Sequence, residues 1–231
     1  MNLLALDTSS EGCSAALWAG DRLTDRFSLA PRGHTRLLMP MVRELLAERE
    51  LAPAALNALA FACGPGSFTG LRIATGVVQG LAYGLGIPVV PVSSLAAVAQ
   101  QVIDAEALEE GTGVAVAFDA RMDEVYWGCF QVRDGWATPL AAEQVRAPEA
   151  VSLVDGVARW VGAGSGWRFQ SRMPAEVGAS VPAPDTEPVP RAREVALLGR
   201  QAWQRGETVP AAMARPVYLR DEVTWQKLPG R

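Results

Sequence analysis

Short apolar segments of strand length alternate with helical patterns in the first half of the chain, and this alternation constrains the fold most. Residues 3–7, 58–63 and 87–92 form strand-like apolar runs. Residues 33–50 and 68–83 instead carry apolar side chains at helical spacing. Strands that alternate with helices in this way predict an α/β fold.

The same order of segments recurs in the second half. Val114 to Asp119 is again an apolar run that ends in aspartate, and Gly162-Ala163-Gly164-Ser165 follows a strand as Gly64-Pro65-Gly66-Ser67 does. We therefore predict two lobes from one duplicated unit, residues 1–105 and 106–231, with the C-terminal helix and tail free to pack back on the first lobe. The alternative is a loose alignment of two unrelated α/β halves.

Charge and cysteine content argue against several classes of protein. The net charge is −4 and Lys227 is the only lysine, whereas a chain that binds nucleic acid alone usually has a basic patch. Three cysteines without close spacing argue against a disulfide framework and fit a reducing cytoplasm. The early Asp7 argues against a signal peptide. The longest apolar stretch, 73–92, is interrupted by glycines and prolines, so we expect no membrane span.

The loop Gly64 to Ser67 and the start of the next helix form the sharpest local motif. Backbone N–H groups at such a helix start can bind an anion, but the glycine spacing fits neither a P-loop nor a dinucleotide fingerprint. The alternative is a tight turn with close packing of helix on strand. Six residues are weak candidates for binding a cofactor: Asp7, Thr8, Ser9, Gly64, Gly66 and Ser67.

Two other polar features have equally simple alternatives. Asp7-Thr8-Ser9-Ser10 could hold a metal–phosphate group or serve only as turn chemistry. Asp119 to Glu124 contains three carboxylates and Arg121, which is compatible with paired-carboxylate catalysis or with an ion pair in a solvated turn.

His34 is the only histidine. A catalytic zinc site needs more histidines or a Cys/His set, and no G-x-S-x-G elbow supplies a triad serine. We therefore predict no catalytic residue and no metal ligand, and a role for His34 at a helix start or an interface.

The helix at 33–50 has an apolar stripe wider than one core contact needs. A second buried face against a partner and simple core burial on two sides are both open. We place the N-cap at Thr35 and Pro40 near the first turn.

Together these segments resemble the TsaB family of the glycoprotease-like, actin-like ATPase superfamily. The resemblance rests on Leu4 to Ser9, His34 to Pro40, Gly64 to Ile73 and Asp119 to Tyr126, and Pro216 to Arg220 resembles the family's C-terminal segment. It covers essentially the whole chain, and Gly64 to Ile73 is its most specific part.

The resemblance implies a duplicated actin-like, sugar-kinase-like fold of two α/β lobes. It also implies a role in threonylcarbamoyladenosine (t6A) modification of tRNA beside the anticodon, as a scaffold that forms a heterodimer with TsaD. TsaE would join that complex, TsaC would supply threonylcarbamoyl-adenylate, and tRNA would be bound only within the complex. In isolation, the same exposed apolar face could pair two copies of the chain as a homodimer.

The partner interface expected from this resemblance lies on the helices at 33–50 and 68–83. Its residues are His34, Leu37, Leu38, Met41, Val42, Leu45, Phe68 and Arg72.

The chain departs from the catalytic pattern of TsaD-type proteins, whose metal motif is H-x-x-x-H. Leu38 stands four residues after His34, so the transfer chemistry is not carried over and no cofactor is expected, with a nucleotide at the partner interface left open. The rival readings are an ATP-dependent phosphotransferase of the same fold, favoured by Asp7, and a metallopeptidase-like protein, disfavoured by the single histidine.

Overall fold

The first lobe is built on a five-stranded sheet. The computed structural model describes residues 1–220, so Lys227 and the rest of the predicted tail lie outside the described residues. The strands of the first sheet are β1 (Asn2–Asp7), β2 (Gly12–Ala19), β3 (Arg22–Leu29), β4 (Ala58–Gly64) and β5 (Val89–Ser93). Their order is β3-β2-β1-β4-β5, in which β1 to β3 are antiparallel neighbours and β4 and β5 run parallel to β1.

The second sheet repeats most of this pattern. Its strands are β6 (Gly113–Arg121), β7 (Glu124–Arg133), β8 (Trp136–Pro139), β9 (Gln144–Arg146) and β10 (Trp160–Ala163). The order is β10-β6-β7-β8, with β10 parallel to β6, antiparallel pairing elsewhere, and β9 beside β7. Strands β6, β7, β8 and β10 thus correspond to β1, β2, β3 and β4. The predicted duplicated two-lobe α/β fold is confirmed.

Helices cover both faces of the first sheet, which explains why β1 and β4 are apolar throughout rather than alternating. Helices α1 (His34–Glu48) and α2 (Phe68–Leu85) share one core with β1, β2 and β4. Helix α5 (Ala192–Gln204) packs on the other face. The predicted helices are confirmed, but Gly33 rather than Thr35 is the N-cap of α1, and Pro40 lies inside the helix.

Helix α3 (Ser94–Glu106) connects the two lobes. Chain order alone places it in the first lobe, yet most of its apolar side, including Leu95 and Val98, packs against Val114 and Phe130 of the second sheet. The core of the second lobe therefore begins before residue 105.

Prolines and the lack of helical periodicity predict a loop from Met173 to Pro190, but the stretch contains a short helix, α4 (Ala175–Ser180). Val177 is fully buried in the second core. The burial of one apolar side is enough to order six residues whose sequence has no helical period.

Residues 205–220 form a segment that we call the C-terminal strap. Val209 pairs with Val89 at the edge of β5, and Gln79 of α2 donates to the carbonyl of Ala214. The N–H of Val217 then donates to the carbonyl of Cys63, 2.7 Å away. The strap ends at Arg220, which donates to the carbonyl of Ala120 in the second lobe.

Candidate functional site

A cavity of about 920 Å³ lies between the lobes, beyond the C-terminal ends of β1 and β6. This position is where open α/β sheets commonly bind ligands. First-lobe residues on its wall include Ser9, Gly66 and Ser67, and second-lobe residues include Asp119 and Arg168. Of the six cofactor candidates, Asp7, Thr8 and Gly64 are absent from this lining.

Asp7 forms the buried floor beneath the first-lobe wall. Its Oδ1 accepts a hydrogen bond of 2.9 Å from the N–H of Ser9, while its Oδ2 and the Oγ of Ser9 have no hydrogen-bond partner among the described residues. Removal from water disfavours the ionised form, so burial raises the pKa of Asp7 to about 7. This unsatisfied carboxyl is the strongest argument for a ligand at this end of the cavity.

The glycine loop is occupied by contacts within the protein rather than open to a phosphate. The N–H of Ser67 donates to the carbonyl of Ser9 at 2.7 Å, and Thr8 Oγ1 donates to the carbonyl of Gly70 at 2.6 Å. A methyl group at Gly66 or Gly70 would overlap the carbonyl of Ser9 or Thr8. The glycines therefore allow α2 to approach the β1–β2 loop, which favours the close-packing alternative for this motif.

Gly64 has a different structural role. Its φ of +125° disfavours other residues, and an added Cβ would lie 2.6 Å from the carbonyl of Val217 in the strap. Glycine is thus required where the strap crosses the end of β4.

The carboxylates of the β6–β7 turn are all neutralised by arginine. Asp119 pairs with Arg168 at 2.7 Å and with Arg121 at 3.5 Å. The other two are paired as well: Asp123 with Arg172 at 3.3 Å, and Glu124 with Arg220. This arrangement favours the ion-pair alternative over paired-carboxylate catalysis, because each of the three carboxylates has an arginine partner.

His34 is the first residue of α1 and is largely buried. Its Nε2 lies 3.0 Å from the carbonyl oxygen of Ser10 and 3.2 Å from that of Gly12. Both groups are acceptors, so Nε2 carries the proton and donates. His34 thereby ties α1 to the β1–β2 loop at the edge of the cavity.

The predicted partner interface needs correction on α1. Four of its members, Leu38, Met41, Val42 and Leu45, face the first sheet and belong to the core of the first lobe. Helical periodicity identifies an apolar stripe but does not say which element covers it, and here the sheet does. His34 is also buried, Leu37 is half-buried, and only Phe68 and Arg72 of the expected set are exposed.

Sequence reasoning placed Phe68 and Arg72 of α2 in the interface but missed the glycines on the same helix. Gly76, Gly80 and Gly84 recur every fourth residue, and among residues 1–220 no atom outside the neighbouring helix backbone lies within 4 Å of the position where a Cβ would stand on any of them. Tyr83 beside them is 84% exposed. Three glycines at helical spacing are destabilising in a helix unless something approaches closely, and this signal was available in the sequence.

A shallow groove of about 400 Å³ separates this glycine face from the strap. Gly76, Gln79, Gly80 and Tyr83 line one side, and Ala211 and Ala212 line the other. We use the term α2 face for the exposed side of α2 and this groove. Its residues are Phe68, Arg72, Ile73, Gly76, Val77, Gly80, Tyr83, Gly84, Ala211 and Ala212.

The described residues contain no cluster of three or more His, Cys, Asp or Glu side chains that could hold a metal ion. No helix among residues 1–220 is long and apolar enough to span a bilayer.

Together, the two repeated sheets and the cavity between the lobes define a duplicated, two-lobed α/β protein. The family model described as "TsaD: tRNA N6-adenosine threonylcarbamoyltransferase" matches residues 28–172. The tRNA threonylcarbamoyladenosine biosynthesis protein TsaB of Escherichia coli K12 is 39% identical over 236 residues, covering 100% of both chains. The Haemophilus influenzae protein of the same name is 38% identical over 100% of this chain and 98% of its own. The structure titled "YeaZ from Pseudomonas aeruginosa" is 47% identical, with a TM-score of 0.87 over 94% of this chain and 99% of that chain. The chain therefore belongs to the TsaB family.

Proposed function

We propose that this chain acts in t6A modification of tRNA as a non-catalytic partner of a TsaD-type threonylcarbamoyltransferase. The observation that carries the proposal is the α2 face, where no side chain of residues 1–220 packs on Gly76, Gly80 and Gly84. Membership of the TsaB family points to the t6A pathway. The exposed helix face gives a physical reason to expect that a second protein binds there.

The α2 face has the properties of a helix-docking surface. Glycine removes the side chain that keeps two helices apart, so that a partner helix can approach the backbone closely. Ile73, Val77 and Tyr83 flank the glycines and provide apolar area. Burial of such area contributes about 25 cal/mol per Å² before the costs of association. This face replaces the buried side of α1 in the sequence-based interface, while Phe68 and Arg72 stay in it.

Two features of the cavity support a non-catalytic role. The candidate phosphate loop is held by its own hydrogen bonds to Ser9 and Thr8, and the only histidine donates to two backbone carbonyls. Neither group is free to bind a phosphate or to activate a nucleophile without rearrangement. In this account TsaE and tRNA act on the heterodimer, and the chain works in the cytoplasm, where its three buried free cysteines stay reduced.

The test is reconstituted threonylcarbamoylation of tRNA with TsaC, TsaD and TsaE, with and without this chain. Nucleosides are analysed by mass spectrometry. We expect product only when the chain is present, and none from the chain without TsaD. Equal product without the chain would reject the proposal.

An ATP-dependent phosphotransferase remains the second candidate because Asp7 has an unpartnered, buried Oδ2. Such a carboxyl at the end of β1 could bind a metal–nucleotide complex if the loop around it opened. Isothermal titration of the isolated chain with Mg-ATP tests this directly. Tight binding that Asp7→Asn abolishes would favour the phosphotransferase, and the absence of heat at millimolar nucleotide would reject it.

A further inference from the structure

The C-terminal strap is bonded to the second lobe through one side chain. Among the described residues, the hydrogen bonds and ion pairs from the strap to that lobe all come from Arg220. Its guanidinium donates to the carbonyls of Ala120 and Arg121 at 3.3 Å and 3.5 Å. It also lies 3.5 Å from the Sδ of Met122 and forms an ion pair with Glu124. The side chain of Arg220 is only 20% exposed, so these contacts are shielded from water on most sides.

The β6–β7 hairpin that receives this guanidinium has a strained turn. Arg121, Met122 and Asp123 have φ angles of 64°, 55° and 59°, a region that is unfavourable for residues with a Cβ. Arg121 pairs with Glu124 across the hairpin, so Met122 and Asp123 form a two-residue loop, where asparagine and glycine are the usual residues. Strain of this kind persists where surrounding contacts hold it, often at clamps and switch regions. Here the turn directs two carbonyls and a sulfur atom at one guanidinium.

The rest of the strap is attached to the first lobe by isolated contacts. Val209 exchanges two backbone hydrogen bonds with Val89, and the N–H of Val217 donates to the carbonyl of Cys63. The strap contains no regular element longer than three residues, and Ala214 is its only fully buried side chain. A segment with so few buried apolar contacts opens at a lower free energy than the cores do.

We propose that the strap is a releasable latch between the two lobes, fixed to the second-lobe hairpin by Arg220. Loss of the Arg220 contacts would free the strap from the end of β4 and let the lobes move apart. Arg220 also lines the inter-lobe cavity, so release widens the mouth of that cavity while both cores stay folded. The latch belongs to the chain itself and does not depend on the proposed function.

Cys63 is a native reporter of strap release. Its side chain is 6% exposed and belongs to the same apolar cluster as Ala214 of the strap. Burial, with a smaller contribution from Glu143, raises the pKa of the Cys63 thiol to about 12, and alkylation requires the thiolate. The thiol therefore reacts only when the strap opens. Cys13 and Cys129 lie within β2 and β7 and contact groups outside the strap, so they report the opening of the cores.

The first experiment measures alkylation of the three thiols of the full chain by iodoacetamide, resolved by peptide mass spectrometry. When closing is fast, the rate of labelling follows the population of the open form. We expect Arg220→Ala to raise the rate at Cys63 about tenfold, because several charge-assisted contacts are lost, and to leave Cys13 and Cys129 unchanged. Hydrogen exchange at the N–H of Val217 should accelerate by the same factor.

Two further variants separate the latch from a general effect of removing charge. Arg215 is an exposed strap arginine without an ion pair within the described residues, so Arg215→Ala is the matched control and should change neither rate. Glu124→Gln removes the charge of the ion pair but leaves the carbonyl contacts of Arg220, and we expect an increase of about threefold at Cys63.

The second experiment measures the distance between the lobes. Asp21 and Glu109 are exposed, one on each lobe, and nitroxide labels at Asp21→Cys and Glu109→Cys are selective because the native thiols are buried. Double electron–electron resonance should give one narrow distance for this labelled pair. Adding Arg220→Ala should produce a second, longer distance.

Three results would overturn the latch. Wild-type labelling of Cys63 that is no faster than that of Cys13 means that the strap opens only when the whole chain unfolds. An Arg220→Ala variant that labels at the wild-type rate, or that accelerates all three thiols equally, shows that Arg220 has no specific hold on the strap. Faster opening of the strap with an unchanged inter-lobe distance shows that the strap does not link the lobes.

Discussion

Glycines have opposite structural roles at the N-terminal end of α2 and along its exposed side. At its N-terminus, Gly66 and Gly70 are pressed against the carbonyls of Ser9 and Thr8, so the chain fills the space that these glycines create. Along its exposed side, Gly76, Gly80 and Gly84 create the same space, and no side chain of residues 1–220 fills it. The first set serves the folded monomer, and the second set has a physical reason only if another molecule completes it.

We expect the largest effect on stability at the N-terminal end of α2, where Gly70 contacts the β1–β2 loop. Gly70→Ala places a methyl group on the carbonyl of Thr8, and backbone on both sides must move to relieve the overlap. We expect a loss of about 4 kcal/mol or more in the free energy of unfolding. Urea denaturation followed by circular dichroism measures it. A loss below about 1 kcal/mol would mean that the contact is looser than described.

On the exposed side of α2, we expect a substitution to change the affinity for a partner rather than the stability of the monomer. Gly80→Leu fills the groove beside Tyr83 and holds a partner helix away from the α2 backbone. We expect heterodimer affinity to fall about a hundredfold, since close packing at an interface centre is lost, while the urea midpoint of the monomer stays the same or rises. Unchanged affinity in a pull-down titration would remove the α2 face from the interface.

The buried carboxyl of Asp7, beside the glycine contacts at the N-terminal end of α2, should make the stability of the monomer depend on pH. Its folded pKa of about 7 lies above the ordinary value of 3.8, so the folded state binds the proton more strongly and stability falls as pH rises through that window. Asp7→Asn should flatten this dependence and stabilise the chain by about 2 kcal/mol at pH 8. Unfolding midpoints from pH 4 to 8 test it, with Glu194→Gln as a parallel variant because burial also raises the pKa of Glu194 to about 7. A wild-type profile without a decline would contradict the burial of an unpartnered carboxylate.

The smallest effect is expected at Gly76. Gly76→Ala meets no side chain of the described residues and raises helix propensity, so we expect a gain of about 0.5–1 kcal/mol in the free energy of unfolding. Thermal denaturation measures this, and a destabilised variant would show that the glycine serves the monomer after all.

Sequence patterns predicted what local periodicity encodes and missed what depends on distant neighbours. The apolar stripe of α1 was recognised, but Leu38 and Leu45 proved to be covered by the first sheet and not by a partner. Leu38→Asp or Leu45→Asp would therefore bury a charge in the monomer core and destabilise the fold, so neither substitution would test a partner interface. Helix α3 was given to the first lobe by chain order, although Leu95 and Val98 pack in the second.

The candidate site was predicted in the same uneven way. Ser9, Gly66 and Ser67 do line one cavity, as their positions after neighbouring strands indicated. Their mutual hydrogen bonds depend on how closely α2 approaches β1, which the sequence does not state. The strap contacts of Val217 and Arg220 join residues more than ninety positions apart, so no local pattern could have indicated them.

The most direct test of the central claim uses two variants in reconstituted t6A synthesis. Gly80→Leu alters only the exposed side of α2, and Ser9→Ala removes a buried hydroxyl from the cavity wall that has no hydrogen-bond partner among residues 1–220. We predict that Gly80→Leu abolishes formation of t6A by TsaC, TsaD and TsaE while Ser9→Ala supports it at the wild-type rate. Loss of product with Ser9→Ala and full activity with Gly80→Leu would contradict the account and assign the function to the cavity.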